Sequence, residues 1–108
     1  MELGSAEHKA LFIKDKLKIH HENIWTIEIR LLHARKELAD RKAYLHLIPG
    51  QMERKEYPSA NDGRKDQKQT EGAIKTLESQ VFELDAEIRN QELAIEKTQQ
   101  WAEGNGKA

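Results

Sequence analysis

Residues 17–48 read LKIHHENIWTIEIRLLHARKELADRKAYLHLI, and their spacing decides the fold. Leu17, Ile24, Leu31, Leu38 and Leu45 recur every seven residues, and Ile27, Ala34 and Ile48 each fall three residues after a member of that series. Those are the a and d positions of a heptad, the apolar seam by which one α-helix packs along another. Toward the N-terminus the same frame takes in Leu3 and Ala10 at a and Ala6 and Ile13 at d, while His20 and Arg41 are its polar d members. Pro49-Gly50 follows directly. Proline disfavours a helical conformation in the residue before it and glycine permits a turn, so the spacing predicts a first helix over about 5–48 with Ser5 as its cap.

Beyond it, residues 49–65 hold both prolines and the run Asn61-Asp62-Gly63, with no apolar period, and read as a loop. The heptad resumes with Gln67, Ile74, Val81, Ile88, Ile95 and Ala102 at a, and with Thr70, Leu77, Leu84, Gln91 and Thr98 at d. A second helix is predicted over about 66–102, stopping before Gly104-Asn105-Gly106, with a short tail over 103–108. Two seams joined by one loop predict an all-α, antiparallel two-helix coiled-coil hairpin, a single domain over 1–108. If facing residues have numbers summing to about 115, the a and d positions meet throughout. The flanks then oppose Lys42 to Glu71, Arg35 to Glu78 and Arg30 to Glu87, and only Glu28 against Asp85 repels.

Composition agrees with a thin core. Of 108 residues, 37% are hydrophobic and 34% charged, where a globular domain has roughly 45–50% and 25%. There is no cysteine, which excludes disulfides and zinc-thiolate sites, and no apolar run approaches the ~18 residues of a membrane span. A cytoplasmic, soluble protein is expected. Net charge is −1, yet residues 35–68 carry +3 and residues 69–108 carry −4. A basic excess so local and so small argues only weakly for nucleic-acid binding.

Function is sought in apolar residues that the seam does not use. Leu11, Trp25, Leu32 and Phe82 occupy b positions, and Ile29, Ala86 and Leu93 occupy f positions. With Glu28 and Asp85 beside them, these form the candidate partner-binding face, since a large exposed apolar patch marks an interface. The expected partner is a second copy, giving a four-helix bundle-like homodimer, or another protein. Such a chain would serve as a non-enzymatic assembly, adaptor, chaperone, spacer or inhibitor protein, or as a phage-type regulator.

Catalytic and metal chemistry find no support in the sequence. No G-x-S-x-G, Walker loop or dinucleotide fingerprint is present, and no cofactor is expected. Five histidines lack the Glu-x-x-His and His-Glu-x-x-His spacings that bind metal on helices. The alternative role is contact with phosphates of a nucleic acid through Arg54, Lys55, Arg64 and Lys65 at the loop. In size and layout the chain resembles helical hairpins of the WXG type. Their Trp-x-Gly turn is replaced here by Ile48-Pro49-Gly50, and no family is assigned.

Overall fold

The computed structural model describes residues 6–106 and contains two helices, α1 (Ala6–Glu53) and α2 (Ala60–Gly106), with no strand among the described residues. The protein is an all-α helical hairpin in which the two helices pack against each other. Ser5, the expected first cap, and residues 107–108 of the expected tail lie outside the described residues.

Both helices are longer at the turn than the sequence predicts, and the loop shrinks from 49–65 to 54–59. Helix α1 runs through Pro49 and Gly50, which were expected to end it. Proline deprives the Leu45 carbonyl of its donor and costs about 3 kcal/mol in a helix interior. Packing that exists only if the helix persists opposes that cost. Ile48 becomes fully buried, and Met52, one turn beyond it, lies so close to Gly63 of α2 that a Cβ there would stand 2.6 Å from Met52 Cγ.

The helix ends instead at a Schellman turn. Lys55 adopts φ 58°, its N–H bonds the Met52 carbonyl at 3.1 Å, and the Glu56 N–H reaches back to the Gln51 carbonyl at 2.9 Å. A lysine here occupies the left-handed position where glycine is the usual residue. Helix α2 then starts at Ala60 because Ser59 caps it, its Oγ accepting the Asp62 N–H at 3.2 Å and donating to the Asp62 carboxylate at 3.0 Å. Asn61-Asp62-Gly63 is therefore the first turn of a helix and not part of the loop. At the far end α2 continues through Gly104 to Gly106.

The chain divides into two compact units, Arg30–Glu83, which contains the turn, and Met1–Ile29 with Leu84–Ala108, which contains both termini. In the turn unit Leu31, Ala34, Ile48, Thr70, Ile74 and Leu77 are buried, every one at an a or d position. Thr70 is the one buried polar residue among the described residues, and its hydroxyl donates to the Asp66 carbonyl of the preceding turn at 2.8 Å. Arg41, a d residue expected in the seam, is exposed and leans to Glu37 at 4.0 Å on its own helix. A guanidinium buried without a partner would be costly, so it turns to water. Glu71 likewise accepts from Gln67 of its own helix at 3.4 Å and does not pair with Lys42.

Among the described residues of the terminal unit only Ile27 is buried, while Ile13, Leu17, Ile24, Leu84, Ile88 and Ile95 are half-buried. Two polar d residues meet across the seam here, with His20 Nδ1 and Gln91 Oε1 2.7 Å apart. Against the 115 frame, which sets His20 level with Ile95, this bond reaches along α2 by one turn.

Candidate protein-interaction site

Large apolar side chains remain uncovered in both units. In the turn unit Phe82 is 69% and Leu32 68% exposed, with Leu47 also open. In the terminal unit Trp25 is 65% exposed, and Leu11, Leu93 and, more narrowly, Ile29 are open as well. Of the polar and small members of the expected face, Glu28 is exposed whereas Asp85 and Ala86 are half-buried. The cause is the 3.6-residue period: once a and d face the partner helix, the b and f positions point away from it. Each unit therefore presents its own exposed apolar residues to solvent.

Two aromatic features escape a reading by heptads. Phe12 and Trp101 meet edge to face with centroids 6.4 Å apart, and Lys16 Nζ lies 5.6 Å from the Phe12 centroid. Both rings stay about half exposed, so the pair adds to the open apolar surface of the terminal unit. Trp101 sits at g, outside the apolar positions that the pattern weighs.

At the turn, Tyr44 of α1 and Tyr57 of the loop converge on one carboxylate oxygen of Asp66, the phenol of Tyr57 at 2.6 Å. Both phenols donate to the ionised form. Asp66 is accordingly held below the usual carboxylate range, chiefly by Tyr44 and then by Tyr57, and both tyrosines are raised above theirs chiefly by Asp66. Tyr57 has a single proton and gives it to Asp66. The 3.1 Å contact to the Gln51 side-chain amide is then satisfied with the amide NH₂ turned toward the phenol oxygen. The three-residue latch ties loop, α1 and α2 together and leaves beside it a recess of about 380 Å³ lined by Met52, Lys55, Tyr57, Pro58, Ser59 and Ala60.

The basic residues near the turn divide. Arg54 is bound to Glu56 at 2.9 Å, whereas Lys55, Arg64 and Lys65 are exposed and in no ion pair among the described residues. Of the nearby carboxylates, Asp62 is occupied by Ser59, Glu56 by Arg54 and Asp66 by the two phenols, whereas Glu53 is exposed and in no ion pair among the described residues. Among the described residues no three His, Asp or Glu side chains gather into a group able to hold a metal ion. No helix among them is long and apolar enough to cross a membrane.

These features define an all-α hairpin with uncovered apolar residues on its outer positions. The chain matches no known protein family, and neither the characterised proteins nor the solved structures include one similar to it.

Proposed function

We propose that this protein is a non-enzymatic interaction module that works through helix packing and that its first partner is a second copy of itself, forming a four-helix homodimer. The observation that carries the reading is the exposure of Phe82, Leu32 and Trp25, each about two-thirds open to water although none is needed for the intrachain seam. Burying such side chains contributes roughly 25 cal/mol for each Å² of apolar surface removed from water, the main favourable term in association. The partner-binding residues are Leu11, Trp25, Glu28, Ile29, Leu32, Phe82, Asp85, Ala86 and Leu93. Sedimentation equilibrium at micromolar concentration tests this directly, with a species of twice 12.5 kDa expected. Trp25→Gln with Phe82→Gln should return it to a monomer of unchanged helix content, because the a and d seam is untouched. A wild-type chain that stays monomeric sinks the homodimer.

A second reading, contact with phosphates of a nucleic acid, draws on Lys55, Arg64 and Lys65, exposed and in no ion pair, while Arg54 is already bound to Glu56. Binding to generic duplex DNA that falls steeply with salt, and that Arg64→Gln with Lys65→Gln weakens, would favour it.

A further inference from the structure

Ser79 of α2 is exposed and lies at an f position, on the side of the helix away from the seam. Its neighbours one turn away on that face are Lys75 and Thr76 on one side and Phe82 and Glu83 on the other. All five residues belong to the turn unit. Phe82 carries the largest exposure of any large hydrophobic side chain in the described residues, and beside it an open groove of about 520 Å³ is lined by Lys75, Glu78, Ser79, Phe82 and Glu83. Lys75 and Glu83 are in no ion pair among the described residues. The Thr76 hydroxyl is already spent on the Gly72 carbonyl at 3.2 Å, which leaves its methyl as the free part of the side chain.

A two-fold axis through Ser79 with the helices antiparallel carries residue 75 onto residue 83 and residue 76 onto residue 82 of the other copy. Every neighbour of Ser79 then meets a complement. Lys75 faces Glu83 twice, and the Phe82 ring faces the Thr76 methyl twice. The small Ser79 lets the two helices come close at the axis, and Gly72, whose absent Cβ would meet nothing within 4 Å, keeps the next turn on this face open. No like charges oppose one another within the set, whereas a parallel arrangement would set Lys75 on Lys75 and Glu83 on Glu83.

From this self-complementarity we infer that α2 pairs antiparallel with α2 of a second copy about Ser79. The inference rests on the self-association proposed above; of the residues named there it engages Phe82, and it adds the axis and the polarity of a contact made by α2 alone. An isologous contact of this kind is closed, so assembly through it stops at two copies.

Charge reversal and cross-linking test it. Lys75→Glu alone and Glu83→Lys alone each set two like-charged pairs across the axis and should weaken dimerisation by about tenfold or more. The chain carrying both changes should dimerise like wild type, because each pair is rebuilt with its signs exchanged. The chain has no native cysteine, so Ser79→Cys should form a disulfide-linked dimer under mild oxidation, whereas Gln69→Cys on the same helix should not. Circular dichroism on each variant confirms that the hairpin is intact. A dimer indifferent to both reversals and not cross-linked through position 79 overturns the antiparallel pairing while leaving self-association standing. A wild-type chain that is monomeric throughout the accessible concentration range overturns both.

Discussion

The turn unit and the terminal unit are built on the same heptad yet differ in how well it is filled. The turn unit buries five apolar side chains and Thr70, and a Schellman turn, a serine cap and the Tyr44–Asp66–Tyr57 latch fix its connection. Among its described residues the terminal unit buries only Ile27, closes its seam partly with the His20–Gln91 hydrogen bond, and leaves most of its a and d residues half-exposed. A periodic pattern therefore specifies which residues face inward, while the tightness of the contact depends on what holds the helices at that level. Stability should be concentrated in Arg30–Glu83, with slow amide exchange there and faster exchange in the terminal unit.

The largest test of that contrast is truncation at equivalent d positions. Ile48→Ala, at a residue with no exposed surface, should cost about 3 kcal/mol in urea unfolding, while Ile13→Ala in the terminal unit should cost about 1 kcal/mol. Equal losses at the two sites would show the units to be equally well packed.

Two glycines of α2 sharpen the point within one helix. Gly63→Ala forces a Cβ onto Met52 Cγ, and its gain in helix propensity of about 1 kcal/mol should be exceeded by the clash, for a net loss of about 1 kcal/mol. Gly72→Ala meets open space and should stabilise the chain by about 0.5–1 kcal/mol. Thermal melts of the two variants should move in opposite directions. If Gly63→Ala also stabilises, the close approach of Met52 is not a constraint.

Lys55→Gly probes the turn itself. It relieves a left-handed backbone that costs a non-glycine residue about 1 kcal/mol, against a partly compensating gain in unfolded-state freedom, so a net gain of a few tenths of a kcal/mol is expected. A loss would mean that the lysine side chain contributes more to the turn than its backbone costs.

The smallest effect belongs to the latch, because Tyr44 is exposed and Tyr57 and Asp66 are only half-buried. Asp66 titrates lower in the fold than in the unfolded chain, so its contribution is present above the unfolded carboxylate value near about 4 and is lost as pH falls through the folded one. Tyr44 and Tyr57 titrate higher in the fold, so theirs is present below about pH 10 and is lost as pH rises above it. Asp66→Asn should melt below wild type at neutral pH, with the difference shrinking below about pH 4. A difference constant from pH 3 to pH 7 would remove the latch from the account.

Much of the fold is legible in the sequence, since among the described residues every buried side chain from Ile27 to Leu77 stands at a predicted a or d position, and the one further buried residue, Gly63, falls in the expected loop. The turn is less so. Pro49-Gly50 is a strong local stop signal, and what overrides it, the burial of Ile48 and the seating of Met52 on Gly63, is a contact between residues distant in sequence. Lys55 gives no hint of the left-handed turn because any residue but glycine is a poor predictor of one. Ser59 followed by Asp62 was the readable signal for the start of α2, masked by the turn-forming composition around it. For the candidate site, b and f periodicity finds Trp25, Leu32 and Phe82, whereas the latch and the Phe12–Trp101 pair depend on which g and c side chains come level across the seam. Arg41 departs from its d assignment because a long cationic side chain can bend out to water where a leucine cannot.

The placement of the aromatic residues has an experimental consequence of its own. Both tyrosines lie in the turn unit, hydrogen-bonded to one carboxylate, and both tryptophans, Trp25 and Trp101, lie in the terminal unit. Each half of the chain thus carries its own natural chromophore, so tyrosine absorbance and tryptophan emission followed in the same unlabelled sample give two separate melting curves. Coincident curves describe one cooperative transition, whereas a tryptophan curve that runs ahead of the tyrosine curve records the hairpin opening from its termini toward its turn.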